Sequence, residues 1–201
     1  MSEQTSTNLA VILLDWEKAF DKIDQNKLIE ALTRLKVPPK LLKIITLIYQ
    51  SPKFAVKVGD NKSEFLRQHT GIRQGCPLSP YLFILVMTML FRDVKDRLNT
   101  PKQREPIPGI EFAEILYADD TLLFGTHTQT INKLLAEIQK ESSYYNMALN
   151  YAKCINLTLN RNQSTIKYIS GEKVPRKKKA IYLGALLTDT NDNHAEINNR
   201  I

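Results

Sequence analysis

The sequence predicts an α+β domain, an antiparallel sheet packed on helices, and three observations predict it. Apolar runs of strand length are mixed with amphipathic helical segments without strict alternation, strands near the C-terminal end follow one another across short turns, and no internal repeat is present. At 201 residues, 43% hydrophobic and 24% charged, the chain has ordinary globular composition and enough material for one substantial core. No convincing boundary divides it, so residues 1–201 are read as a single domain.

Each element follows from a local signal. "LAVILL", Leu9 to Leu14, is a short apolar run read as a buried strand ending at Asp15. Asp24 can cap a helix carrying Leu28, Ile29, Leu32 and Leu35 at helical spacing, and "VPPK" stops it before a second helix of Leu41, Leu42, Ile45 and Ile48. "FAVKVGDNKSEFLRQ" alternates, turns at "GDN" and returns as a hairpin. The loop "GIRQGCPLSP" follows, with Ser79 and Pro80 as N-cap and first turn of a long apolar helix running to about Leu98. "NTPKQREPIPG" is a linker-like loop. Strands are expected at Ile110 to Ala118 and Thr121 to Thr126, then a helix with Ile131, Leu134, Leu135 and Ile138 on one face, then strand-like "CINLTLN", "TIKYIS" and "AIYLGALL".

Several function classes drop out early. The first ten residues lack a basic start and an apolar h-region, and "YLFILVMTMLF" is about half the roughly 20 residues of a membrane span, so the expectation is an intracellular, non-secreted protein without a membrane partner. Whether nucleus or cytoplasm holds it stays open. Cys76, Cys154 and the three histidines make no disulfide framework and no zinc spacing. A formal charge of +7 and a pI near 9.3 are compatible with a polyanionic partner.

The chemistry concentrates in "ILYADDTLLF", where Asp119 and Asp120 interrupt an apolar run. A polar turn between two strands accounts for them locally. Two carboxylates about 4 Å apart repel by around 4 kcal/mol at the effective dielectric of a protein surface, a cost that a divalent cation reverses. Asp15 is the candidate third carboxylate, because it too ends an apolar strand; Glu17, Asp21 and Asp24 compete for the role. Mg²⁺ takes oxygen ligands from one or two carboxylates plus waters and substrate phosphates, which suits strand-end aspartates. Spacing alone does not pair Asp15 with Asp119.

Five blocks supply that pairing. "LLDWEKAFDKID" (Leu13 to Asp24), "GIRQGCPLSPYLF" (Gly71 to Phe83), "YADD" (Tyr117 to Asp120), "NYAKC" (Asn150 to Cys154) and "YLGALL" (Tyr182 to Leu187) resemble, in order and approximate spacing, the palm motifs of reverse transcriptases of the non-long-terminal-repeat, LINE-like retrotransposon type. The resemblance implies an RNA-directed DNA polymerase palm that joins deoxynucleotides to a primer 3′-hydroxyl, with RNA template, DNA primer and dNTPs as partners. It implies two Mg²⁺ ions, for which Mn²⁺ can substitute, held by Asp15, Asp119 and Asp120 and faced by the Trp16 carbonyl. One ion would activate the primer hydroxyl and the other would hold the triphosphate, about 3.5–4 Å apart.

The remaining roles are implied in the same way. Phe20 matches an aromatic gate against the ribose 2′-hydroxyl, which separates DNA synthesis from a palm-type RNA polymerase; its bland alternative is a core ring. Arg73, Gln74 and Gly75 match nucleotide-contacting positions, with Gly75 permitting close backbone approach. Lys153 matches a general acid toward pyrophosphate, and Tyr182, Leu183 and Gly184 match a primer-gripping hairpin. "PRKKKA" is a solvated charge run or a phosphate contact. Tyr144, Tyr145 and Tyr151 are core residues first and base-stacking residues second. Fingers and thumb blocks are expected to be largely missing, with residues 1–8 disordered and 188–201 the start of a truncated thumb or a frayed tail. The alternative function is a catalytically silent remnant that binds nucleic acid or protein.

Overall fold

The computed structural model describes residues 9–98, 114–159, 165–190 and 193–200. Strand β1 (Leu9–Leu14) leads through a short helix α1 (Ala19–Lys22) into helices α2 (Gln25–Arg34) and α3 (Pro39–Tyr49). Four two-residue strands follow, β2 (Lys53–Phe54), β3 (Lys57–Val58), β4 (Asn61–Lys62) and β5 (Leu66–Arg67), before the long helix α4 (Ser79–Leu98). Strands β6 (Glu114–Tyr117) and β7 (Asp120–Gly125), helix α5 (Thr128–Tyr144), strands β8 (Ile155–Leu159), β9 (Lys179–Tyr182) and β10 (Ala185–Thr188), and helix α6 (Asn193–Arg200) complete the described chain.

The main sheet has the order β6-β7-β1-β8, antiparallel throughout. Leu14 lies opposite Thr121 on one side of β1, and Leu13 opposite Ile155 on the other. β1 reads as an unbroken apolar run because both of its faces are covered. Ala10, Ile12 and Leu14 join the core beneath the helices, while Val11 and Leu13 join Leu122, Phe124, Leu157 and Ala180 on the opposite face. That second face is closed by the β9–β10 hairpin, whose Tyr182 and Leu187 pack against it. Each fully buried aliphatic side chain stabilises by about 1.5–3 kcal/mol, so a strand sandwiched twice is firmly held.

The helices follow their local signals. The Asp24 side chain accepts from the amides of Asn26 and Lys27, which caps α2 as its sequence predicts. On α4, Leu82, Phe83, Val86, Met87, Met89 and Leu90 are all buried, as expected of a helix that is apolar on most sides. Ser79 departs from expectation: it begins the helix, and its hydroxyl donates to the Arg73 carbonyl at 2.5 Å, tying the preceding loop to the helix start.

The β2–β5 segment is a hairpin, but a broken one. The Val56 amide donates to the Ser63 hydroxyl, not to a backbone carbonyl, and the ladder splits into β2–β5 and β3–β4 around that substitution. "TIKYIS" forms no named strand; it folds back through a bridge between Lys167 and Lys173. Its amides at 167 and 169 are instead taken by the side chains of Asn132 and Gln139 on α5. The expected loop at 99–109, the first residues of the expected strand at 110–113, and residues 1–8 lie outside the described residues. Among the described residues, no helix is long and apolar enough to cross a membrane.

Candidate active site

Asp15 stands one residue beyond the end of β1 and is seated by the turn that precedes β8. The Asn150 amide donates to the Asp15 carbonyl at 2.8 Å, and the buried Cys154 sulfur accepts from the Asp15 amide at 3.5 Å. The thiol faces the same carbonyl at 3.8 Å, and burial pushes its pKa up, so it keeps the proton it needs to donate. Lys153, in the same turn, has its ammonium 3.8 Å from an Asp15 carboxylate oxygen. Trp16 is buried and its indole N–H donates to the Thr121 hydroxyl at 3.0 Å, which locks β1 to β7 directly behind the aspartates. Trp16 also bridges to Leu149 through the Glu17 amide and the Asp15 carbonyl, so its own carbonyl is not consumed by that bridge.

Ala118 and Asp119 make the tight turn between β6 and β7, and Asp120 opens β7 paired with Tyr117. Ala118 adopts a left-handed φ of 53°, a conformation that costs a residue with a Cβ about 1 kcal/mol or more. The antiparallel register carries Asp120 to the end of β7 beside the end of β1, where Asp15 lies. A pocket of about 110 Å³ is lined there by Asp15, Asp120, Lys153, Thr121 and Tyr182, among others. Burial, then the charges of Asp119 and Asp15, push the Asp120 carboxyl above the usual aspartate range. Among the described residues no three His, Cys, Asp or Glu side chains stand at metal-ligand spacing.

The positions assigned to the nucleotide lie around α1. Phe20 is half-buried and stacks on Phe83 with ring centroids 4.6 Å apart, so it is partly a core ring and partly exposed. Arg73, Gln74 and Gly75 are exposed. Gln74 donates from its side-chain nitrogen to Asp21 at 2.8 Å, and that partner is invisible from sequence spacing. Gly75 has a φ of 79° with open space around a notional Cβ, so its conformation calls for glycine and crowding by the chain does not. The close approach belongs to Gly71, where a Cβ would lie 2.6 Å from the Asp21 carbonyl oxygen.

Tyr182, Leu183 and Gly184 form the end of β9 and the turn to β10, with Leu183 and Gly184 at positive φ. At the pocket that also holds Asp120 the Tyr182 hydroxyl is buried and, among the described residues, has no hydrogen-bond partner; burial and the Asp120 charge both raise its pKa. Arg176 to Lys179 are exposed, while their backbone runs along the edge of β8 through bonds between Asn156, Pro175 and Lys177. Tyr145 is core, Tyr151 stacks on Tyr168 at 3.8 Å, and Tyr144 donates to Glu30 beneath the Lys27 ammonium. Sequence reasoning missed Asn150 and Cys154 as supports of Asp15, and Thr121 as the partner of Trp16; "NYAKC" and the residue after "YADD" carry them, but only tertiary contact reveals the role.

Residues 1–186 match the family described as reverse transcriptase (RNA-dependent DNA polymerase), and the chain belongs to that family. Its curated relatives are non-long-terminal-repeat retrotransposon proteins. It is 29% identical over 151 residues to a Pol polyprotein of the type-1 retrotransposable element R2 from Nasonia vitripennis, covering 75% of this chain and 14% of that protein. It is 32% identical over 122 residues to a 149 kDa protein of transposon TX1 from Xenopus laevis, covering 61% of this chain and 9% of that protein. The chain therefore spans a small part of the relatives it matches. Among solved structures, telomerase from Candida tropicalis in complex with an RNA fragment superposes with a TM-score of 0.64 at 17% identity, covering 92% of this chain and 29% of that one. Telomerase from Candida albicans gives 0.65 at 15%, covering 93% and 30%. These likenesses bear on the fold, an α+β polymerase palm.

Proposed function

We propose that residues 1–201 form the palm of an RNA-directed DNA polymerase that extends a DNA primer on an RNA template. The observation that carries this is the meeting of Asp15 and Asp120 at one pocket, with Asp119 in the adjoining turn and the charges of Asp119 and Asp15 both disfavouring ionised Asp120. The carboxylates of Asp15 and Asp120 at this pocket, with Asp119 in the turn beside it, are hard oxygen donors of the kind that suits divalent magnesium, and manganese as its substitute. Bound there, such ions would supply activation of the primer hydroxyl and charge neutralisation on the triphosphate.

The chain's own residues do the rest. Asp15 is held by the Asn150–Cys154 turn, so its carboxylate has a fixed origin; Asp119 and Asp120 are fixed by the strained turn. Lys153 is poised beside Asp15 to donate a proton toward the departing pyrophosphate. Phe20 offers a ring and no hydrogen bond to a 2′-hydroxyl. Tyr182 lines the same pocket, and the exposed turn of Leu183 and Gly184 that follows it would serve as a primer support.

Primer extension with an RNA template, a DNA primer and dNTPs in Mg²⁺ or Mn²⁺ tests the reading. Asp15→Asn and Asp119→Asn each abolish extension, and Phe20→Ala raises ribonucleotide incorporation. Extension indifferent to the aspartate changes would sink the assignment, and RNA binding without any extension by the wild type would favour a silent binding module.

A further inference from the structure

We propose that the side chains of Trp16 and Thr121 form a positioning clamp that fixes the separation of Asp15 and Asp120 and thereby strengthens the hold of their pocket on a divalent cation. The inference deepens the metal site of the polymerase reading above and rests on it. The β1–β7 ladder ends at Leu14 opposite Thr121, and one further step of the same register sets Asp15 against Asp120. The two carboxylates therefore stand just where the strand pairing runs out. Beyond Leu14 the backbone is taken by the turn on the β8 side: the Asn150 amide donates to the Asp15 carbonyl at 2.8 Å, and the Glu17 amide to the Ala148 carbonyl at 2.9 Å. Trp16 reaches back the other way. Its indole N–H donates to the Thr121 hydroxyl at 3.0 Å, so the residue after Asp15 is tied to the residue after Asp120.

The chemistry of the pair suits a clamp. An indole has a donor and no acceptor, so the Thr121 oxygen must accept. Trp16 is 5% and Thr121 1% exposed, which keeps water from replacing either partner. Thr121 also lines the pocket with Asp15 and Asp120, so the bond borders the space that the carboxylates share. Those like charges repel and tend to part the strand ends, and a bond across the gap opposes the opening. Carboxylates already held near one another lose less freedom when a cation draws them in.

Free Mn²⁺ measured by EPR in the chain without nucleic acid reads the effect, and Asp15→Asn defines the part of the binding that belongs to this pocket. Thr121→Val and Trp16→Phe should each weaken that affinity about three- to tenfold, the scale of one hydrogen bond, and the double variant no further than the weaker single one. Thr121→Ser keeps the acceptor and should stay within about twofold of the wild type. In primer extension the weakened variants should need correspondingly more Mg²⁺ to reach half their maximal rate. Ile12→Val, buried in the same strand away from the pocket, should lower the urea midpoint and leave the Mn²⁺ affinity unmoved. Trp16 is the single tryptophan of the chain, so its one indole N–H resonance needs no assignment. It should move upfield in Thr121→Val and hold its place in Thr121→Ser, and these two variants decide the matter even if Trp16→Phe fails to fold. An indole resonance unmoved in Thr121→Val overturns the pairing. Mn²⁺ affinity unmoved in Thr121→Val, or falling as far in Ile12→Val, overturns the positioning role. Equal Mn²⁺ affinity in wild type and Asp15→Asn sinks the metal assignment and the clamp's role with it. Extension indifferent to Asp15→Asn sinks the polymerase reading, while the Mn²⁺ and indole measurements still decide the clamp.

Discussion

Asp120 shows how a single side chain can cost stability where it sits. Its carboxyl is held above the usual aspartate range by burial first and by Asp119 and Asp15 next. The folded state therefore binds this proton more tightly than the unfolded chain does. The contribution of Asp120 to stability is fully present below its ordinary value, near pH 4, and is lost as pH rises through the raised one. Asp120→Asn removes the ionised form and is expected to stabilise the chain at pH 7. Because the residue is largely exposed, the gain is at most about 1 kcal/mol. Urea unfolding of wild type and variant at pH 4 and pH 7 checks it, since the difference between the two proteins should shrink at the lower pH. A variant no more stable at pH 7 would mean that the pocket leaves the charge well solvated.

Among the elements, the loop before α4 makes the sharpest demand on its backbone. Gly71 and Gly75 both adopt positive φ, 84° and 79°, but only at Gly71 would a Cβ meet backbone. Gly71→Ala combines left-handed strain with a clash that no side-chain rotation relieves, and should cost on the order of 3 kcal/mol. Gly75→Ala carries the strain alone, about 1 kcal/mol. Denaturant midpoints of the two variants distinguish these, and equal losses would contradict the close packing on Asp21. This contrast also marks what sequence reveals. Asp24 as a cap, the apolar face of α5 and the "YADD" turn are written in neighbouring residues, so local sequence alone makes them legible. The seat of Asp15 on Asn150 and Cys154, and the hold of Asp21 on Gln74, join residues far apart in sequence; the motif order brings their segments together, but not the atoms that touch. The β2–β5 hairpin is legible in its alternation and turn, but its division is not, because one Ser63 hydroxyl takes the place of a backbone acceptor.

At the scale of the molecule, the sheet end that holds the aspartates depends on a helical layer tied together at its far side. Arg34 of α2 grips Asp93 of α4 through two bonds of 2.6 and 2.5 Å, and the Tyr145 hydroxyl at the end of α5 donates to the same carboxylate at 3.3 Å. The Asp93 side chain is 11% exposed, whereas that of Arg34 is 40% exposed, so the acid carries most of the desolvation. Arg97 and the buried Glu141 add a second α4–α5 pair. Removing the arginine alone strands a buried carboxylate, for which breaking a fully buried pair costs about 3–5 kcal/mol; the exposure of Arg34 lowers the expectation for Arg34→Ala to about 2 kcal/mol. Replacing both charges by apolar groups, Arg34→Met with Asp93→Leu, should recover part of that loss, because no charge is then left unpaired and only the Tyr145 hydroxyl loses its partner. Urea unfolding of the single and double variants measures this. A double variant as unstable as Arg34→Ala would show that the three-helix tie needs its charges, and not merely its packing, to hold the palm beneath Asp15.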